Sequence, residues 1–126
     1  MESKIETKGE VDGAVIEKTT PREAVLYLIK ALNTEDFQKA KEFVADNFSF
    51  VGVLGSRDGA GAYFNDMEKM KLKYDIKNVF AEKNDVCIIY DLVIDGKTIF
   101  GCGLYHVEEG KVTSLRVVFD PRPLLK

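Results

Sequence analysis

The chain has 126 residues, 45% hydrophobic and 31% charged, with a formal net charge of −3. Those proportions exclude a chain disordered throughout and suit one hydrophobic core of ordinary size. The acidic balance argues against nucleic-acid binding, which needs a basic face to displace counterions, and apolar runs such as Val86–Tyr90 are far shorter than the roughly 18 residues that span a bilayer.

Residues 1–19 alternate charges with single apolar side chains and read as an N-terminal arm in which Val11, Val15 and Ile16 can dock. Residues 20–126 read as one domain. The arm holds no continuous apolar stretch of the secretory kind, so a cytoplasmic location is expected, and the sequon Asn47-Phe48-Ser49 reads as chance. Cys87 and Cys102 form neither a disulfide framework nor a C-x-x-C pair. With the one histidine, His106, they fall short of metal-ligand spacing, and no metal or cofactor is expected.

The first helix starts at Thr20-Pro21-Arg22-Glu23, with Thr20 as cap, Pro21 at the first helical position and Glu23 completing a capping box. Val25, Leu28, Ile29 and Leu32 form its apolar stripe. Thr34 caps a second helix over Glu35–Val44, and Phe48–Val53 then switches to the period of a strand. Ser56 reads as the cap of a third helix, with Asp58 against its positive end and Ala60, Phe64, Met67 and Met70 facing inward. Lys69, Lys71 and Lys73 read as a solvated helix end. Four strands follow, Tyr74–Glu82, Val86–Ile94, Thr98–Glu108 and Val112–Asp120, with Asp95-Gly96 the tightest hairpin signal. Three helices ahead of a long antiparallel meander predict an α+β fold with helices packed on one face of a curved sheet.

The order and spacing of several strings resemble the SnoaL-like (nuclear transport factor 2-like) superfamily, a cystatin-like α+β cone. They are Ala31–Asp36, Phe43–Phe50, Gly55-Ser56-Arg57-Asp58, Val107–Val112 and Val117–Pro121, and the resemblance spans roughly residues 21–121. It implies a strongly curved, mixed but mostly antiparallel sheet around three helices, a pocket between sheet and helices, and a homodimer. It also allows known chemistries to be tested position by position. For ketosteroid isomerase the base falls at Gly52, the protonated acid at Gly103 and the tyrosine at Leu28, one residue from Tyr27. For limonene epoxide hydrolase the first aspartate falls at Asp91, but its arginine falls at Ile89, its second aspartate at Val117, and its tyrosine and asparagine at Phe50 and Gly52. Neither set is present.

Asp91 interrupts an otherwise apolar run and shares a strand face with Cys87, Ile89 and Val93. The resemblance places that face toward the pocket, where a carboxylate walled by aliphatic groups has a raised pKa, as a general acid or base near neutrality requires. The alternative is a carboxylate satisfied by a tyrosine hydroxyl or a basic side chain, or one at the sheet rim. Asp91 and Tyr27 are thus the catalytic candidates, with Leu28, Phe50, Tyr63, Phe64, Met67, Ile89, Tyr105, Val117 and Phe119 expected to line the pocket. Gly101 and Gly103 are expected to let the sheet bend or a helix come close. The other face would carry Val86, Ile88, Tyr90 and Leu92, joined by Cys102, Leu104 and His106, so Cys87 and Cys102 would point opposite ways as free thiols. A sheet apolar on both sides needs a cover for the second. A homodimer burying about 600 Å² of apolar surface per subunit would gain about 15 kcal/mol before association costs.

Three readings follow. The first is a pocket protein for a small apolar molecule. The second is an isomerase, cyclase or dehydratase using Asp91 as general acid/base, and the third is an interaction module whose outer sheet face binds protein.

Overall fold

The computed structural model describes residues 19–125, so the arm expected over residues 1–19 lies outside the described residues but for Thr19. Helix α1 (Pro21–Asn33) begins as its capping box dictates. The Thr20 hydroxyl accepts from the Glu23 amide and the Glu23 carboxylate accepts from the Thr20 amide, each at 3.1 Å, with Pro21 at the start. Its inward stripe of Ala24, Val25, Leu28, Ile29, Ala31 and Leu32 is buried.

Helix α2 spans only Phe37–Lys41, capped by Asp36 rather than Thr34. Glu35 stands between the helices in the left-handed region (φ 58°), where no helix can pass. Strand β1 (Val44–Val51) starts earlier than Phe48 because Val44 already pairs with Val112. The third helix also departs from expectation. Ser56–Asp58 is a short edge strand, β2, paired antiparallel with Ser49–Val51. Its ladder overrides the capping tendency of Ser56, and helix α3 (Ala60–Met70) is opened by Gly59 at φ 92°.

Strands β3 (Lys73–Glu82), β4 (Asp85–Ile94), β5 (Lys97–Glu108) and β6 (Lys111–Phe119) form the meander. The sheet runs β2-β1-β6-β5-β4-β3, with β1 and β6 parallel and all other neighbours antiparallel. Asp95-Gly96 and Glu109-Gly110 both carry positive φ at two successive residues, the backbone of tight hairpins whose twist matches the strands. Register shifts at Ile76/Asn78 and His106/Val107 add the bulges that bend the sheet around the helices. The result is the α+β cone, three helices against a six-stranded mixed curved sheet.

The phase of β4 is the opposite of the one expected. Val86, Ile88, Tyr90 and Leu92 are buried against the helices, whereas Cys87, Ile89, Asp91 and Val93 face outward. The more apolar set takes the core and the set containing a carboxylate takes the solvent side, since a one-residue shift exchanges the two entirely. Phe100, Cys102, Leu104 and His106 lie on that same outer face, in register with β4. Gly101 and Gly103 face inward and serve the tyrosines rather than a helix. A Cβ on Gly101 would lie 3.2 Å from the Tyr90 ring, and one on Gly103 would lie 3.0 Å from the Tyr105 ring.

One side chain ties the end of α1 to the start of β3. Asn33 accepts from the Tyr74 amide at 2.7 Å and donates to the Tyr74 carbonyl at 2.9 Å, filling both backbone valences as a neighbouring strand would.

Candidate functional site

Between α3 and the concave face of the sheet lies a cavity of about 270 Å³. Helix α3 presents Tyr63, Asp66, Met67 and Met70 to it, the i, i+3, i+4, i+7 stripe of one helix face. Strand β4 contributes Tyr90, Leu92 and Ile94, and β6 contributes Leu115, Val117 and Phe119, each set alternating along its strand. Phe50, Leu72 and Tyr74 complete the wall. Val53 and Leu54, on the loop before β2, bring exposed apolar side chains to the rim.

The polar groups are few. Burial pushes the Tyr63 and Tyr90 phenols well above their ordinary range, and neighbouring tyrosines push them further. Burial raises Tyr74 to about 12, partly opposed by a hydrogen bond with Tyr63. All three therefore stay protonated at neutral pH and cannot act as bases; Tyr63 is engaged with Tyr74, which leaves Tyr74 and Tyr90 to donate to a ligand acceptor. Tyr90 meets Tyr74 edge to face at 5.1 Å and is 1% exposed. Among the described residues no protein group hydrogen-bonds its hydroxyl. Arg57 of β2 and Asp66 of α3 supply the charges, with Arg57 Nε donating to Asp66 Oδ2 at 2.8 Å. Both are partly exposed, which places the pair at the mouth.

Of the residues expected at the pocket, Phe50, Tyr63, Met67, Val117 and Phe119 line the cavity, whereas Leu28, Phe64 and Tyr105 are packed into the core away from it. Ile89 and Asp91 are not there at all, because the phase of β4 turns them outward. Asp91 lies 3.8 Å from Lys77, which also holds Asp75 at 2.9 Å, so the carboxylate belongs to a part-exposed ion cluster rather than an aliphatic pocket. Tyr27 is half-exposed on the outside of α1, its ring 5.6 Å from that of Phe43. The two catalytic candidates are therefore neither at the cavity nor together.

Sequence reasoning missed Tyr74, Tyr90, Leu92, Arg57 and Asp66. Tyr90 had a legible signal: it stands directly opposite Gly101, and a large ring beside a strand glycine marks the inward face. Arg57 and Asp66 had none, since a short edge strand and a helix bring them together.

Two features of the outer face also differ from expectation. Cys87 and Cys102 are free, as expected, yet they point the same way, with their sulfurs 3.2 Å apart. Burial raises the Cys102 thiol to about 11, and hydrogen bonding with Cys87 adds to the rise. His106 is held between two carboxylates, Asp85 at 2.8 Å on Nδ1 and Glu108 at 2.6 Å on Nε2, and these bonds raise its pKa, the one to Asp85 first. A raised folded-state pKa contributes stability that is complete below the unfolded histidine value of about 6.5 and is lost as pH rises through the folded value. His106→Gln should therefore lower the urea midpoint at pH near 6 and leave it nearly unchanged at pH near 9. An equal loss at both pH values would show that the carboxylate contacts do not matter.

Among the described residues no group of three His, Cys, Asp or Glu side chains could hold a metal ion. No helix among them is long and apolar enough to cross a membrane.

A cone of this topology with an internal cavity defines the SnoaL-like class, and comparison with known proteins agrees. The SnoaL-like domain family matches residues 25–115, and the chain belongs to it. An NTF2-like protein of unknown function from Cytophaga hutchinsonii is 54% identical over 86% of this chain and 97% of its own, with a TM-score of 0.84. An LEH-like epoxide hydrolase from M. tuberculosis is 22% identical over 81% of this chain and 84% of its own, with a TM-score of 0.69. A de novo designed protein with a curved β-sheet reaches 0.70 at 14% identity, covering 81% of this chain and 86% of its own. No curated protein matches the chain. A hydrolase and a designed protein share this cone, so the shape alone carries no activity, and function has to be read from the cavity.

Proposed function

We propose that the protein holds a small, largely apolar molecule in the cavity between α3 and the sheet. The observation that supports this best is the wall itself. Its volume of about 270 Å³ is bounded almost entirely by aliphatic and aromatic side chains, while the buried Tyr90 hydroxyl has no protein partner among the described residues. An unpaired buried hydroxyl costs about 1–3 kcal/mol, and a ligand acceptor would recover it. Protonated tyrosines suit an acceptor such as a carbonyl or ether oxygen.

A reaction driven by Asp91 finds no support in this geometry. The carboxylate beside the cavity is Asp66, already engaged by Arg57. The outer face has a separate role in the proposal: it joins two copies of the chain as a homodimer, leaving both cavities intact. Phe80, Ile89, Phe100, Leu104 and Val118 form its apolar surface, with the two cysteines among them. Both parts fit the cytoplasmic location expected from the sequence.

Methylnaphthalene tests the cavity directly, because its own fluorescence reports binding. The wild-type protein should bind it saturably. Val117→Trp, which puts an indole where a valine now lines the cavity, should weaken binding by at least about tenfold with the circular dichroism spectrum retained. Undiminished binding in a folded Val117→Trp protein would contradict the proposal.

A further inference from the structure

The geometry points to a neutral hydroxyl on the ligand, seated between Arg57 and Asp66 at the cavity mouth. This rests on the cavity reading above and adds to it the chemical class of the molecule, an apolar alcohol. Arg57 is the one cation and Asp66 the one carboxylate among the described residues lining the cavity. Arg57 sits on β2 opposite Phe50, and Asp66 sits on α3 beside Met67, so both partners are held by elements that also build the apolar wall.

The pair is joined at a single point. Nε of Arg57 donates to Asp66 Oδ2 at 2.8 Å, and Nη1 donates to the Ser56 carbonyl at 2.9 Å. Arginine and carboxylate commonly meet through two parallel bonds, which would use both partners fully. Here Nη2 has no acceptor among the described residues and Asp66 Oδ1 has no donor. The pair thus leaves one donor and one acceptor unused, with no net charge.

That combination selects among ligand groups. A carboxylate could accept from Nη2 but would stand beside the Asp66 carboxylate, and an ammonium could donate to Oδ1 but would stand beside the guanidinium. A hydrocarbon would leave both valences to water. A hydroxyl matches both, accepting from Arg57 Nη2 and donating to Asp66 Oδ1, while its apolar body lies along Met67, Leu92 and Val117. Because the pair is partly exposed, its effect is on selectivity more than on total affinity.

Four ligands sharing one ring system test this: methylnaphthalene, naphthalenemethanol, naphthoate and naphthylmethylammonium, each titrated by fluorescence at neutral pH. The alcohol should bind about tenfold more tightly than the hydrocarbon, and more tightly than either ion. Arg57→Gln should bring the alcohol down to the level of the hydrocarbon. Asp66→Asn, which leaves the guanidinium without its counter-charge, should make naphthoate the tightest of the four. Equal binding of alcohol and hydrocarbon, or naphthoate binding tightest to the unsubstituted protein, would overturn the role of the pair and leave the cavity reading standing. Failure of all four to bind would overturn the cavity reading and this inference with it.

Discussion

On the proposed homodimer, a protein carrying both Phe100→Glu and Leu104→Glu is expected to run as a monomer and the unsubstituted chain as a dimer. Both side chains point outward from β5, Phe100 at 65% exposure and Leu104 at 47%. Phe80, Cys87 and Leu104 stand in one row across β3, β4 and β5, Ile89, Cys102 and Val118 stand in the next, and Phe100 stands one row further on, opposite Asp91. Contiguous apolar surface of this kind is uncommon on a monomer and marks a contact. Burying each large apolar side chain contributes about 1.5–3 kcal/mol, and a two-fold axis would bring the introduced carboxylates near their own copies. The two losses together predict a dimer dissociation constant raised by at least about a thousandfold. Light scattering coupled to size exclusion at micromolar concentration reads the result, and circular dichroism should show the fold unchanged because neither side chain enters the core. A monomeric unsubstituted chain at that concentration would remove the dimer from the account.

Replacing Asn33 with alanine is expected to lower stability by about 2 kcal/mol and the melting temperature by about 8 °C. The substitution removes two hydrogen bonds and leaves the amide and carbonyl of Tyr74 without partners in a part-buried position. It also frees the start of β3, where Tyr74 forms part of the cavity wall, so methylnaphthalene should bind more weakly than the stability loss alone would suggest. Asn33→Asp separates the contributions. It keeps the acceptor for the Tyr74 amide and loses the donor to the carbonyl, and it should fall between alanine and the natural side chain. Thermal melts of the three proteins give the order, and equal melting temperatures would show that the two bonds are replaced by water at no cost.

Local chemistry made much of the fold legible. The Thr20–Glu23 box, Pro21 and the Asp95-Gly96 turn are satisfied within a few residues of chain, so their meaning does not depend on distant contacts. The misread parts are those that long-range pairing decides. Ser56 and Asp58 carry helix-opening chemistry, but β1 lies alongside and turns them into a strand. In Val86–Ile94 both alternating sets are mostly apolar, so periodicity alone could not say which faced the helices. The family resemblance placed the Asp91 face toward the pocket, whereas the ordinary cost of burying a charge pointed the other way. The glycines at 101 and 103 held the missing information, because only an inward-facing gap on β5 accommodates the rings of Tyr90 and Tyr105. The candidate site was legible to the extent that it followed helix and strand periodicity, as with Tyr63, Met67, Val117 and Phe119. Tyr74 was obscured by the bulge that disturbs alternation in β3, and the Arg57–Asp66 pair by its dependence on tertiary contact.

The most direct measurement is a methyl-labelled NMR titration with methylnaphthalene, following the methionine, leucine and valine methyl groups together. The account predicts saturable shifts at Met67, Met70, Leu92, Leu115 and Val117, the methyls around the cavity, with Leu104 and Val118 on the outer face unmoved. Shifts confined to Leu104 and Val118, with the cavity methyls silent, would contradict it.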